Sequence, residues 1–319
     1  MRLRFLALCA LCLASGAGCD DTHSAQAAVL PSSRPVKSAL HNVPPPLPPR
    51  PSRRLVPAKY PADRLQSPIT GFVAHNLRRI AARNPDLHDD RFIKVGDSIT
   101  VSGNFLYCFS GEHVDLGEHA ALEKTLLHFH AGAEADLDPF ARRSHAAGVG
   151  WSAFQVLDGK PPVVIAEEHA LDARFALVMF GTNDMEMGKP QRFSQDLSNI
   201  VDRLLKRGVI PILSTIPPRG DRHDRNALVP DYDAAIRGLA EARQIPLVGY
   251  HRALMAAPHR GLGHDGIHPS VYKGPLGRTP CDFTSKGLGY GFNLRNLLTL
   301  QALDRAWHAL HTGQALDPG

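Results

Sequence analysis

Beyond residue 62 the apolar positions of the chain alternate between two periods. Phe72, Val73, Leu77 and Ile80 in TGFVAHNLRRIAARN recur at the spacing of one helix face, and RFIKV after them reads as a strand. FALVMF, Phe175 to Phe180, is a short continuous apolar run of the kind found in a strand buried on both faces. SQDLSNIVDRLLKRG is an amphipathic helix with a glycine stop at Gly208, and IPILST follows it as a strand. PDYDAAIRGLAEARQ is the next helix, IPLVGY the next strand, and NLRNLLTLQALDRAWHAL a last helix. Strands alternating with helices predict parallel β-α-β units with right-handed crossovers, hence a three-layer α/β domain over residues 63–319 around a central parallel sheet.

Residues 101–147 break that rhythm. VSGNFLYCFSGEHVDLGEHAALEKTLLHFHAG is long for a connection in a compact domain, and it predicts an insertion with short helices of its own. Within it His128 and His130 stand two apart, which on a strand would turn both to the same side, as metal ligands could be. No acid or cysteine ligand pattern accompanies them, so surface or packing roles are assigned and no metal site is expected.

The first 62 residues have no such periodicity. MRLR supplies a positive start, FLALCALCLA an apolar run too short to span a bilayer as a mature helix, and SGAGC a small-residue exit. That is the layout of a bacterial export signal over residues 1–19. GAGC resembles the box that precedes the lipidated cysteine of bacterial lipoproteins, with Gly16 where leucine is usual. Cys19 is then the expected lipidation site and the membrane contact of a cell-envelope lipoprotein; cleavage near AQA, Ala25 to Ala27, with free secretion, is the alternative. Residues 20–62, centred on VPPPLPPRPSRR, predict an extended proline-rich tether. At about 3.1 Å per residue it could reach on the order of 130 Å.

Composition sharpens this division. The chain of 319 residues is 43% apolar and 21% charged, a globular balance, with a formal charge of +5. The tether holds six cations, Arg34, Lys37, Arg50, Arg53, Arg54 and Lys59, and no acid between Thr22 and Ala62. The folded body is therefore close to neutral, and nucleic acid is not an expected partner. Cys9 and Cys12 leave with the signal, so Cys108 and Cys281 are the thiols of the mature body. An even pair in an oxidising compartment predicts one disulfide, with two unpaired buried cysteines as the alternative. A bond would staple the insertion to the loop after His268 as a pocket wall.

Three short polar motifs follow the apolar runs. In IKVGDSIT, Ser98 sits where the first strand leaves the sheet; Asp and Ser there could also be a plain helix cap. FALVMF ends in GTND, which places Asn183 at another strand end, and GHDGIHPS holds Asp265 and His268 three apart in a loop. In open α/β sheets functional groups gather outside the carboxyl ends of strands. A serine hydroxyl becomes a nucleophile when a histidine accepts its proton, and that histidine needs a carboxylate to hold its tautomer. The oxyanion formed on the attacked carbonyl needs preorganised donors, which the Ser98 N–H, a glycine N–H and the Asn183 amide could supply.

GDSIT, GTND and DGIH, in this order, resemble blocks I, III and V of the SGNH hydrolases, also called the GDSL esterase/lipase family; TIPPR after the next strand is also similar. The resemblance covers about residues 92–289 and implies a flavodoxin-like α/β/α sandwich with no cofactor. It makes Ser98 the nucleophile, His268 the general base and acid, Asp265 its partner and Asn183 an oxyanion donor. Ile99 stands where leucine names the family. The second block normally centres on a glycine, often after serine; AAGVGWSA offers Gly150, which runs through GWSA into FQVLD, with Gly148 as the alternative. His264, beside Asp265, is assigned a supporting or surface place.

The implied activity is ester hydrolysis through an acyl-serine intermediate. For an exported, tethered enzyme the leading substrate class is O-acetylated carbohydrate of the envelope or exterior. Lipase or lysophospholipase action comes second, and acyl transfer is open to the same acyl-enzyme. A non-catalytic carbohydrate-binding lipoprotein is the rival from another class. Phe105, Tyr107, Phe109, Trp151, Tyr272 and Tyr290 lie near the motifs and could pack on sugar rings or on one another. A metal-dependent phosphoesterase would need clustered ligands that the chain does not present.

Overall fold

Four parallel strands, β1 (His88–Gly96), β2 (Ala173–Met179), β3 (Ile210–Ser214) and β4 (Leu247–Val248), pair in the order β1-β2-β3-β4. The computed structural model describes residues 55–111, 113–130, 137–275 and 277–317. Cys19, the export signal and the tether up to residue 54 lie outside the described residues. Every residue of β2 is buried, as its unbroken apolar run requires in a central strand.

The helices are α1 (Gly71–Ala81), α2 (Ser98–Val101), α3 (Glu123–His130), α4 (Val163–Leu171), α5 (Pro190–Lys206), α6 (His223–Asn226), α7 (Val229–Arg243), α8 (Tyr250–Ala256) and α9 (Gly291–Thr312). α1, α3 and α8 gather on α9, while α4, α5 and α7 form a second group, and both groups pack on the sheet. This is the expected three-layer sandwich. Buried Phe193, Leu197, Ile200, Val201, Leu204 and Leu205 form the single apolar stripe that docks α5.

The sheet has one further neighbour. Returning from the insertion, the chain meets β1 in a single parallel bridge between Gly96 and Ala147. Gly96 N–H donates to Ala146 O, and Gly148 N–H donates to Gly96 O, each at 3.1 Å. The spatial order is therefore the flavodoxin-like one with its second strand reduced to a bridge, and the switch point falls beside β1. A side chain at Gly96 has no room: a Cβ would lie 2.3 Å from Thr100 Oγ1 and 2.7 Å from Met179 O.

The structure refines the sequence reading in four places. His128 and His130 lie on α3, where residues two apart point to different sides, and each takes a packing place as assigned. His128 stacks on Trp307 and bonds Asp89 O, while His130 bonds Phe109 O. Helix α4 has no legible period because VVIA is uniformly apolar and Glu167 and Glu168 are buried against Arg142 and Arg207. β4 is only two residues long, and its outer edge is covered by residues 65–67: Ser67 N–H donates to Leu247 O and Gly249 N–H to Leu65 O. Finally, residues 55–62, assigned to the tether, already pack on the body. Ala58 and Tyr60 are buried there, Ala58 exchanging hydrogen bonds with the Gln244 amide and Tyr60 N–H donating to Glu241.

The insertion carries its own short helices, as expected, and is anchored by aromatic packing. Phe129 and Phe140 meet Phe92 of β1 edge-on, and Phe109 meets Phe140 and Phe283, with centroids 5.1–5.9 Å apart. Phe105 and Phe109 are thus core residues, with no ring face open to bind a sugar. Lys94 points from β1 into the same region, donating to Phe140 O over the Tyr107 ring, and burial pushes its ammonium down to about 7.

Cys108 and Cys281 are bonded, joining the insertion to the loop before α9 across 173 residues. Closing so long a loop restricts the unfolded chain strongly. The Cys108→Ala/Cys281→Ala double variant should lose about 3–5 kcal/mol in urea unfolding. An unchanged midpoint would mean that the staple contributes nothing.

Candidate active site

β1 ends at Gly96, and the chain turns through Asp97 into α2. Asp97, not Ser98, caps that helix: its Oδ1 accepts the Ile99 N–H at 2.9 Å. The capping duty therefore falls one residue early, and the Ser98 hydroxyl is left for another partner. It lies 2.9 Å from His268 Nε2. Burial raises the Asp97 carboxyl above its ordinary range, against the Ile99 N–H and the Arg295 and His268 charges.

The histidine is presented by a loop that Asp265 organises. One oxygen, Oδ1, accepts the backbone N–H groups of Ile267 and His268 at 3.0 and 2.9 Å, and the other accepts from His268 Nδ1 at 2.6 Å. With Nδ1 donating to Asp265, Nε2 is free to accept the Ser98 proton. Partial burial works to raise the Asp265 carboxyl, but these three hydrogen bonds outweigh it and hold it below the usual range. Gly220 N–H ties the loop to the chain after β3 by donating to Gly266 O at 2.6 Å.

The AAGVGWSA and GTND segments meet each other. Asn183 Nδ2 donates to Trp151 O at 2.9 Å, and Asp184 Oδ1 accepts the Ala153 N–H at 2.9 Å. Gly150 stands at φ +75°, a left-handed conformation that favours glycine, and open space surrounds its missing side chain. Gly148 is constrained differently. Its N–H is taken by Gly96 O, and a Cβ there would run into the Trp151 ring at 2.2 Å. Ser98, His268 and Asp265 thus form one hydrogen-bonded chain and Asn183 joins the Gly150–Trp151 turn; no direct hydrogen bond links the two groups among the described residues.

All of these turns fall inside one match. The model of the GDSL-like lipase/acylhydrolase family fits residues 95–272, more than half of the chain. The chain belongs to this family. As a GDSL-like acylhydrolase it is a carboxylic ester hydrolase. Solved structures similar to it include a GDSL-like lipase from Bacteroides thetaiotaomicron, 17% identical over 73% of this chain and 99% of that one, with a TM-score of 0.44. Another is an acetylxylan esterase from Geobacillus stearothermophilus, 16% identical over 68% of this chain and 95% of that one, with a TM-score of 0.43. No curated protein matches the sequence.

In this GDSL-like chain several supporting residues escaped the sequence reading. Arg295 of α9 is 3% exposed beneath the Ser98 turn, donates to Ile99 O at 2.7 Å and Thr100 Oγ1 at 2.9 Å, and lies 3.6 Å over the Phe105 ring. Burial pushes its guanidinium down to about 10. A charged residue in an apolar helix face was the available signal. Arg219 of TIPPR is also buried, donating to Thr182 O of the GTND turn and to Asp221 and Glu186. His264 is exposed and lines a cleft of about 1420 Å³ into which Ser98, Asp265 and His268 open.

Asp184 sets a pH dependence of stability. Burial pushes its carboxyl up to about 6, against the Ala153 N–H, and its second oxygen has no protein partner. A folded-state value above the unfolded one means that stability falls as pH rises from about 4 through 6. Asp184→Asn can still accept the Ala153 N–H. Relative to the parent it should gain about 2 kcal/mol in denaturant unfolding between pH 4 and pH 8, whereas a pH-independent difference would contradict the assignment.

Proposed function

We propose that the protein removes short acyl groups, acetyl foremost, from carbohydrate esters through an acyl-enzyme on Ser98. The observation that carries this reading is the continuous chain Ser98 Oγ to His268 Nε2 to Asp265 Oδ2, at 2.9 and 2.6 Å. Ser98 attacks the ester carbonyl as His268 takes its proton; His268 then gives that proton to the leaving alcohol. Asp265, held below its usual range, stays ionised beside the imidazolium. Water, deprotonated by the same histidine, releases the acid from Ser98.

The oxyanion is met by the Ser98 N–H at the start of α2, the Gly150 N–H and the Asn183 amide. Gly150 is preferred to Gly148 because the Gly148 N–H is spent on Gly96 O. Asn183 gives one amide hydrogen to Trp151 O, which fixes its plane and leaves the other for substrate. Carbohydrate is favoured by the breadth of the cleft, which exceeds the volume about a drug-sized ligand fills. Tyr290, 36% exposed on the cleft wall, offers an aromatic face to a sugar ring. The export signal and tether read from the sequence would put such an enzyme among envelope or extracellular polymers, with Cys19 as its lipid anchor.

Hydrolysis of p-nitrophenyl acetate, butyrate and octanoate by the full chain tests this reading. The acetate ester should be the best substrate. Ser98→Ala and Asp265→Asn should each lower kcat by about 10⁴-fold. Equal rates for parent and Ser98→Ala would remove the acyl-serine mechanism, and a preference for octanoate would move the enzyme to lipids.

A further inference from the structure

The cleft has a charge that the esterase reading does not use. Lys273 and Arg278 are cross-strand partners in a two-stranded antiparallel hairpin, β5 (Lys273–Gly274) with β6 (Gly277–Arg278), and both line the cleft. Lys286, after the Cys281 staple, lines it too. All three are exposed, and among the described residues none has a carboxylate partner. Among the described residues the one carboxylate on the cleft wall is Asp265, which His268 and two backbone N–H groups already occupy.

Like charges placed directly opposite each other across an antiparallel pair destabilise it. In this protein arginines elsewhere find acids readily: Arg219, Arg222 and Arg225 share Glu186, Asp221 and Asp224. The hairpin on the wall of the Ser98 cleft has its two cations on opposed positions with no carboxylate partner among the described residues. A ligand bearing negative charge would pair with these cations, and a wall on which cations cluster also concentrates such a ligand.

We infer that the cleft takes an acidic glycan, one whose sugar units carry carboxylates that pair with Lys273, Arg278 and Lys286 while an O-acyl ester lies at Ser98. This rests on the esterase reading and deepens it. The breadth of the cleft and the half-exposed Tyr290 on the same wall favour a polymer of sugar rings over a phospholipid, whose headgroup could meet the same cations. Surface cations act through solvent, so the contribution is electrostatic steering and modest pairing that salt weakens.

Binding is the decisive measurement, made on the full chain carrying Ser98→Ala so that turnover plays no part. Oligogalacturonate should bind at least 10-fold more tightly than a xylo-oligosaccharide of equal length at low salt, and the ratio should shrink towards one in 0.5 M salt. Adding Lys273→Gln, Arg278→Gln and Lys286→Gln together should abolish the difference without lowering the melting temperature, since a repulsive pair has been removed. Arg278→Gln alone, on the exposed hairpin, should lose part of it. Equal binding of the two oligosaccharides, a preference untouched by these substitutions, or binding only to phosphatidylglycerol vesicles would overturn the inference. None of those results would alter Ser98-dependent hydrolysis of p-nitrophenyl acetate, which judges the esterase reading separately.

Discussion

The active-site end of this molecule hangs on three polar residues in the first turns of a buried helix. Asn293, Arg295 and Asn296 of α9 are almost wholly inaccessible, at 0%, 3% and 0% exposure. Arg295 holds the Ile99 carbonyl and the Thr100 hydroxyl of the Ser98 turn. Asn296 donates to Asn104 O and Pro280 O and accepts from Leu106 N–H, joining the insertion to the loop before α9. Asn293 donates to Thr279 O and Asp282 O and accepts the Tyr272 N–H. Each satisfies backbone groups that irregular segments would otherwise bury unpaired, at about 1–3 kcal/mol apiece. Irregular chain can therefore lie against the core and still be positioned as firmly as a strand.

That arrangement lets the carboxylates near the site divide their work. Asp97 and Asp184 are buried and serve as acceptors for backbone N–H groups, shaping the turns that carry Ser98 and Asn183. Burial raises both, so they do this at some cost in charge solvation. Asp265 is open to the cleft and is kept ionised by its hydrogen bonds. The same residue type thus acts as a structural acceptor when buried and as the electrostatic partner of a histidine when accessible.

The sheet explains where the site lies. β1 has a neighbour on each side, β2 by a full ladder and the 146–148 segment by one bridge, so the crevice of the switch point opens at its carboxyl end. The insertion that separates β1 from that bridge is held by the phenylalanine cluster and by the disulfide, both far apart in sequence. The hairpin that lines the cleft follows the histidine loop directly.

What the sequence determined by itself was what depends on local pattern. Continuous and periodic apolar runs specified the layers of the sandwich and β2 as a doubly buried strand, and GDSIT, GTND and DGIH marked Ser98, Asn183, Asp265 and His268 as candidates. Helix α4 stayed hidden because its buried acids erase the polar face, and residues 55–62 were misread because their burial depends on Glu241 and Gln244. Tertiary structure alone decided the rest. It made Asp97 rather than Ser98 the cap, committed the Gly148 N–H to Gly96, placed Arg295 under the Ser98 turn and set two cations opposite each other across the hairpin. Each of these is a contact between segments distant along the chain or a choice between adjacent identical groups, and neither leaves a periodicity to read.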